Sequence, residues 1–250
     1  MRARSLLVSL AALATAVVAS ITLPASAGAT TADDATPFIV GGGNATETYS
    51  FMVSLQSSSG SHSCGGSLIK PNWVVTAAHC GTPYQVRIGT TNRTSGGTVA
   101  RVSRRVAHPS ADLALLQLAT SVSQQPIVLA SSSGPVGTQT RIIGWGQTCA
   151  SPGACGAPVT LQQLDTSIVN DSECGGIRAA SEICTDNPGN NKGACYGDSG
   201  GPEIKRVSGV WQLIGATSRS GGGSVCAREP SIYVDVPYFR SWIAGYTGAL

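Results

Sequence analysis

The run Gly193–Pro202 contains a serine whose surroundings suit it to nucleophilic chemistry. Ser199 lies at the centre of Gly197–Gly201, in which three of the four neighbouring residues are glycine. Such a backbone approaches a ligand closely and can turn its N–H groups outward, as stabilisation of an oxyanion requires. A serine hydroxyl becomes a good nucleophile only when a histidine accepts its proton and a carboxylate orients that histidine. The chain must therefore also supply a histidine and an aspartate.

The order of these residues along the chain separates the known catalytic arrangements. The three histidines, His62, His79 and His108, all precede Ser199. In α/β-hydrolases the histidine follows the serine, so the formal match to a G-x-S-x-G motif does not indicate that fold. The subtilisin order needs an aspartate before the histidine, and only Asp33–Asp34 satisfy it, in a stretch that we expect to be removed. The order that remains is histidine, aspartate, serine.

Four motifs occur in the order that is found in chymotrypsin-type serine proteases. They are Ile39-Val-Gly-Gly42, Thr76-Ala-Ala-His79-Cys80, Asp112-Leu-Ala-Leu115 and Gly197-Asp-Ser-Gly-Gly-Pro202. The chain from Ile39 to its end therefore resembles this family. The resemblance implies a catalytic triad of His79, Asp112 and Ser199, and an oxyanion hole built from the N–H groups of Gly197 and Ser199.

Each triad residue has a simpler alternative reading. His79 could be a hydrogen-bonded core histidine beside a disulfide, and Asp112 could be an exposed residue that ends a loop. Among the aspartates between His79 and Ser199, however, only Asp112 opens an apolar run that could bury it against a histidine. His62 and His108 are expected to be structural. The loop before Asp112 is shorter than is usual in the family, which should leave the second substrate subsite open.

The N-terminal part of the chain predicts export and activation by cleavage. Residues 1–27 have two arginines, a long apolar run and a Pro-Ala-Ser-Ala end, as in a secretory signal peptide; a membrane anchor is the alternative. Residues 28–38 are short and polar and are expected to be a propeptide, and residues 39–250 the protease domain. The resemblance implies that cleavage frees the amine of Ile39 to pair with Asp198, which makes the precursor a zymogen. Phe38 precedes the cut, so a tryptic activator is not expected.

Eight cysteines in an exported chain indicate four disulfides. The resemblance implies three of the pairs, and elimination then leaves the fourth as a small local loop. The four expected pairs are Cys64–Cys80, Cys174–Cys184, Cys195–Cys226 and Cys149–Cys155. No cysteine and histidine spacing typical of a zinc site occurs, and no Asp or Glu lies between Cys80 and Asp112 for a calcium loop, so we expect no metal and no cofactor.

Spacing back from Ser199 identifies the positions that determine specificity. The base of the substrate pocket falls at Gly193-Ala194, where trypsin-like members have an aspartate. Without a carboxylate, a buried substrate Lys or Arg would lack a partner, at a cost of several kcal/mol. The other expected pocket residues are Ser218, which in the family also hydrogen-bonds the catalytic aspartate, one wall glycine at Gly221 or Gly222, and Ser231. These residues favour an apolar or aromatic residue before the cut.

Short β-branched and apolar runs between turn signals predict an all-β fold. Ten such runs occur, and residues 237–246 could form a closing helix. The runs are Phe51–Gln56, Ser67–Lys70, Trp73–Ala77, Gln85–Ile88, Thr98–Val102, Leu113–Leu118, Arg141–Trp145, Thr166–Val169, Val210–Gly215 and Ile232–Val236. Charged residues make up only 12% of the chain and there are 31 glycines, which suits short strands joined by turns. The fold class that we predict is two packed antiparallel six-stranded β-barrels with a short C-terminal helix, and the resemblance implies the same.

The predicted function is that of a secreted, extracellular serine endopeptidase. Its partners would be polypeptide substrates and protein protease inhibitors, and we expect a monomer. The net charge of +3 is too small to indicate nucleic acid or a membrane surface. The alternatives are a catalytically inactive binding protein with this fold and an esterase on the same scaffold. Only Lys70, Lys192 and Lys205 are lysines among 16 basic residues, a composition from which we expect a bacterial source.

Overall fold

The computed structural model of the chain describes residues 39–250. The predicted signal peptide, residues 1–27, and the predicted propeptide, residues 28–38, lie outside this range. No helix within it is long and apolar enough to cross a membrane.

The described residues form fourteen strands and one α-helix. The strands are β1 Gly43–Asn44, β2 Met52–Gln56, β3 His62–Lys70, β4 Trp73–Thr76, β5 Gln85–Ile88, β6 Thr98–Ala107, β7 Ala114–Leu118, β8 Val128–Leu129, β9 Gln139–Gly144, β10 Gln162–Ser167, β11 Glu182–Thr185, β12 Pro202–Val207, β13 Val210–Ser220 and β14 Ser231–Asp235. The helix, α1, spans Arg240–Thr247 and follows a 3-10 turn at Pro237–Phe239.

Strands β2 to β7 close into a six-stranded antiparallel barrel. Its hydrogen-bonded order is β2, β3, β4, β7, β6 and β5, and β5 pairs again with β2. Buried Val, Ile and Leu side chains fill its interior, because the core positions of these strands are almost all apolar. The barrel fixes the position of the segments that leave β4 and enter β7, and these two strands are direct neighbours.

The second sheet has eight strands. Seven of them follow the order β1, β10, β9, β12, β13, β14 and β11, and β8 pairs in parallel with β13. A bridge between Ile168 and Thr185 joins the end of β10 to the end of β11, so the six strands from β10 to β11 curl back on themselves. Two backbone hydrogen bonds flank this bridge, from Val169 to Cys184 and from Asp186 to Ser167.

The predicted fold class is confirmed, although the second sheet is larger than the six strands expected. The difference arises because the short β1 pairs with β10 and the short β8 pairs with β13. The strand β12 was not predicted, since Pro202 and three charged residues within it resemble an exposed loop. The helix region was predicted at residues 237–246, and it is divided between the 3-10 turn and α1.

Four disulfides join the eight cysteines, which confirms their expected number. The pairs are Cys64–Cys80, Cys149–Cys155, Cys174–Cys184 and Cys195–Cys226. Each lies within one part of the fold, and Cys195–Cys226 ties the segment before Ser199 to the loop between β13 and β14.

Candidate active site

The pairing of β4 with β7 brings His79 and Asp112 together. Thr76, the last residue of β4, lies opposite Ala114, the first residue of β7. His79 follows β4 in a 3-10 turn, and Asp112 lies just before β7. The antiparallel register therefore places two residues that are 33 positions apart in the chain side by side.

Asp112 is held by three hydrogen bonds. Its Oδ2 lies 2.7 Å from Nδ1 of His79 and accepts a hydrogen bond of 2.7 Å from the hydroxyl of Ser218. Its Oδ1 accepts the backbone N–H of His79 at 2.9 Å. Because a carboxylate only accepts, Nδ1 of His79 carries a proton, and Nε2 of the neutral ring is then free to take one.

These contacts change the pKa values of both groups. Burial raises the pKa of Asp112, but the hydrogen bonds from His79 and Ser218 outweigh it and lower the pKa to about 2. The same hydrogen bond to Asp112 raises the pKa of His79 above its ordinary value of 6.5, against the opposing effect of burial. Asp112 is therefore a carboxylate at neutral pH, and it stabilises a protonated His79.

Ser199 lines the same cleft as His79. Its backbone carbonyl accepts the N–H of Gly65, at 2.8 Å, which ties the serine turn to β3. Within residues 39–250 no hydrogen bond joins the side chains of Ser199 and His79. Such bonds are often long in sites without substrate and tighten when substrate binds, so this geometry is compatible with proton transfer between them.

The turn around Ser199 has no room for larger residues. Gly200 has φ of +74°, and a Cβ at this position would lie 2.1 Å from Oγ1 of Thr76 and 2.7 Å from the carbonyl oxygen of Gly65. Only glycine fits here without moving the backbone. The turn therefore packs directly on β4, which precedes His79, and on β3, which contains Gly65.

Gly197 and Ser199 of this turn line the cleft, and the direction of their N–H groups follows from the neighbouring carbonyls. The carbonyl of Tyr196 accepts the N–H of Gln147, and the carbonyl of Asp198 accepts the N–H of Gly201. In a trans peptide the N–H points away from the carbonyl, so the N–H groups of Gly197 and Ser199 point to the opposite side. Neither of these two N–H groups has an acceptor among the described residues. Both are thus free to donate to an oxyanion.

The side chain of His62 holds the turn in place through hydrogen bonds. Its Nε2 lies 3.0 Å from the carbonyl oxygen of Gly197, and its Nδ1 lies 2.9 Å from the hydroxyl of Ser54. Burial lowers the pKa of His62 to about 4, so the ring is neutral; it donates from Nε2 and accepts at Nδ1. This is the structural role that the sequence predicted for His62.

Asp198 is a buried carboxyl group beneath the turn. Its Oδ1 accepts the N–H of Gly146, and its Oδ2 accepts the N–H of Cys195, at 2.8 and 2.9 Å. Burial raises its pKa to about 7. Among residues 39–250 no basic side chain forms an ion pair with it.

The segment that begins at Ile39 packs against the same region. Ile39 is 1% exposed and belongs to an apolar cluster that Ala194 also contacts. The carbonyl of Val40 accepts the N–H of Gly193 at 2.9 Å. The residues that follow the predicted cleavage point therefore pack against the segment that precedes Asp198.

A cavity of about 680 Å³ opens beside Ser199. Its walls include three of the predicted pocket residues, Ala194, Ser218 and Ser231. No Asp or Glu is among the residues that line it, and Arg219 is its one charged lining residue apart from the titratable His79.

Two predicted pocket residues, Gly193 and Gly221, are not among the residues that line this cavity. Gly193 packs against Ala227, where a Cβ would lie 3.6 Å from the Cα of that residue. Gly221 is held by backbone hydrogen bonds to Gly175 and Pro230. The other glycine that the sequence analysis considered, Gly222, lines the cavity.

Two contacts near the cleft were not predicted from the sequence. Arg219 and Glu182 form a two-pronged ion pair, with both N–O distances at 2.8 Å. They are 37 positions apart in the chain, and they meet because β11 and β13 both pair with β14 in the sheet. The second contact is that of Gln147, whose N–H donates to the carbonyl of Tyr196 and so orients the peptide between Tyr196 and Gly197. Gln147 lies in an irregular loop. No local sequence signal marks either contact.

One close group of potential metal ligands occurs among residues 39–250, namely Cys64, His79 and Cys80. The two sulfur atoms are joined in a disulfide, so they are not thiolates and cannot bind a metal in the usual way.

Comparison with known proteins identifies the family. The sequence profile of the family described as Trypsin matches residues 39–243. Trypsin alpha of Drosophila melanogaster is 37% identical over 234 residues, which are 84% of this chain and 88% of that protein. Trypsin of Sarcophaga bullata is 36% identical over 222 residues, 79% of this chain and 84% of its own length. These relatives are insect proteins, so the bacterial source expected from composition is not supported. The chain belongs to the trypsin family of serine proteases.

Proposed function

We propose that this protein is a serine endopeptidase in which Ser199, His79 and Asp112 form the catalytic triad. The carrying observation is that one Asp112 oxygen accepts hydrogen bonds from both His79 and Ser218, which fixes the imidazole at the cleft that Ser199 lines. Nε2 of His79 takes the proton of the Ser199 hydroxyl while Oγ bonds to the scissile carbonyl carbon. The proton then passes to the leaving amine, and water releases the acyl group in a second step.

The N–H groups of Gly197 and Ser199 are proposed to hold the oxyanion. Both residues line the cleft, and neither N–H has a protein acceptor among the described residues. Removing one such donor typically costs about 3 kcal/mol of transition-state stabilisation. His62 supports this hole by holding the carbonyl of Gly197.

The cavity beside Ser199 is proposed to take an apolar or aromatic side chain. No carboxylate lines it, so a buried Lys or Arg of the substrate would have no partner there. Small residues such as Ala194 and Ser231 leave space for a large side chain. This specificity differs from cleavage after basic residues.

Activation is proposed to follow cleavage before Ile39. Asp198 is buried, and burial raises its pKa to about 7. A cationic partner would therefore stabilise its charged form strongly. The new ammonium group of Ile39 would be that partner, because the chain after Ile39 already packs on Gly193 through Val40. The ion pair would order the turn that contains Gly197 and Ser199.

We further propose that residues 1–27 are a signal peptide and residues 28–38 a propeptide, so that the active enzyme is extracellular. Four disulfides are typical of exported proteins, and they support this proposal. The substrates would be polypeptides, the inhibitors would include proteins, and the enzyme would act as a monomer without a cofactor.

Peptide profiling tests the proposal. The form that begins at Ile39 is incubated with a mixed peptide library, with Ser199→Ala as the matched control. We expect fragments that end in Phe, Tyr, Leu or Met and none with Ser199→Ala. Fragments that end mainly in Lys or Arg would contradict the pocket assignment. Equal activity of forms that begin at Met1 or Gly28 would contradict the zymogen.

A further inference from the structure

A second cavity, of about 690 Å³, adjoins the candidate active site on the side of the short loop before Asp112. It shares His79, Ser218 and Arg219 with the cavity that lies beside Ser199. A peptide whose side chain fills the first cavity therefore presents its neighbouring residues to the second. Both cavities lie along residues 218–219 of β13.

The carboxylates of this second cavity already accept hydrogen bonds from other groups of the protein. Glu182 has only 4% of its side chain exposed, and both of its oxygens accept hydrogen bonds from Arg219. One of them also accepts the backbone N–H of Arg178 at 2.7 Å. Burial raises the pKa of Glu182, but these hydrogen bonds outweigh it and keep the pKa below its usual value. Asp112 is similarly engaged by His79 and Ser218.

The cations of the cavity, in contrast, face the solvent. The side chain of Arg219 is 39% exposed although it pairs with Glu182. Arg178 is exposed, and its guanidinium donates one hydrogen bond, from Nη1 to the carbonyl of Ser110 at 3.0 Å. An arginine has five N–H donors, so most of those on Arg178 have no protein acceptor among residues 39–250. A ligand that enters the cavity meets guanidinium groups, whereas the carboxylates of Glu182 and Asp112 already accept hydrogen bonds from the protein.

The short loop makes this arrangement possible. Nδ1 of His108 accepts the N–H groups of Ser110 and Ala111, at 3.3 and 3.0 Å, which folds the loop tightly. The carbonyl of Ser110 then anchors Arg178 at the rim. A longer loop at this point would cover the guanidinium.

We propose that Arg178, with Arg219 as the adjoining wall, binds an acidic side chain of the substrate two to four residues before the cut. This inference rests on the proposed peptidase function and specifies the substrate class of the same site: peptides with Asp or Glu shortly before an apolar residue. Arg178 is the anchor because most of its donors lack a protein acceptor among residues 39–250, whereas Arg219 is paired with Glu182, which holds it in place as a fixed wall.

Matched peptides test this proposal. Two peptides are compared that differ only in Glu or Gln at the third residue before a phenylalanine. Cleavage by the Ile39-starting enzyme gives kcat/KM, and binding to its Ser199→Ala variant gives Kd without any need for catalysis. The variants are Arg178→Gln, Arg178→Lys and, as a control for net charge, Arg206→Gln, whose exposed side chain lies on β12 outside the cavity.

We expect the Glu peptide to be preferred about two- to five-fold at low salt, the range for a partly exposed ion pair, and the preference to decline as salt is raised. Arg178→Gln should reduce the ratio to about one, whereas Arg178→Lys and Arg206→Gln retain it. A ratio of one or less in the unmodified protein overturns the inference. Acidic preference in binding together with absent cleavage would support the inference and contradict the proposed function, so the two failures are distinguishable.

Discussion

Replacing Glu203 by glutamine is expected to stabilise this protein at alkaline pH. Glu203 lies on β12, is 0% exposed and has no basic partner among the described residues. Its two oxygens lie 3.0 and 2.9 Å from the hydroxyl of Thr185, which has a single proton and can donate to only one of them at a time. Burial accordingly raises the pKa of Glu203 from 4.5 to about 7.

The magnitude follows from the two pKa values. A carboxyl group with a raised pKa in the folded protein binds its proton more tightly there than in the unfolded chain, so acid favours folding. Stability is present in full below pH 4.5 and is lost as the pH rises to about 7. The pKa values differ by about 2.5, and at about 1.4 kcal/mol for each pKa unit the loss is about 3 kcal/mol. Glutamine does not ionise and avoids this loss.

The assay is denaturant unfolding between pH 4 and pH 8.5, with Ser199→Ala as background so that self-digestion does not occur. We expect the free energy of unfolding of Glu203→Gln to gain about 3 kcal/mol over the parent between these limits, with most of the gain complete by pH 7. Glu229→Gln removes the same charge from the exposed surface and is the matched control. A difference between Glu203→Gln and the parent that does not change with pH would refute the reasoning.

Further predictions concern the triad and the disulfides. The acid limb of kcat/KM should have its midpoint above pH 6.5, because Asp112 raises the pKa of His79 and the protonated imidazole cannot accept the serine proton. Asp112→Asn should lower kcat on the order of 10⁴-fold at neutral pH, and a loss below about ten-fold would contradict the assignment. Replacing both members of Cys149–Cys155 by serine should cost about 2 kcal/mol of unfolding free energy, since this disulfide spans a sequence separation of 6. The corresponding change at Cys195–Cys226, with a separation of 31, should cost about 4 kcal/mol, and equal losses would contradict the loop-length argument.

Local sequence patterns were sufficient for most of the strands. Gln85–Ile88 was predicted with its observed bounds, because its apolar residues are buried in alternation. β6 was predicted to end at Val102 but continues to Ala107, since a bulge after Val102 lets the two polar residues Arg104 and Arg105 remain paired with β7. β12 was missed because the rule that glutamate is exposed fails at Glu203.

The candidate site likewise has residues that sequence motifs identify and contacts that only the fold reveals. His79, Asp112 and Ser199 were located from motifs, because each motif is local and their order along the chain is diagnostic. The ion pair of Glu182 with Arg219 depends on strand neighbours far apart in sequence, and no local pattern could reveal it. The sequence left Gly221 and Gly222 as alternatives for one wall of the pocket, because the backbone of the β13–β14 loop decides which glycine faces the cavity, and Gly222 is the one that lines it.

Labelling with a serine-reactive fluorophosphonate tests the central claim most directly. The Ile39-starting protein is treated with the reagent, and the modified peptide is mapped by mass spectrometry. The account predicts one label per chain on Ser199, and none on that residue in His79→Ala, because the hydroxyl then lacks its base. Label on a different residue, or undiminished labelling of Ser199 in His79→Ala, would contradict it.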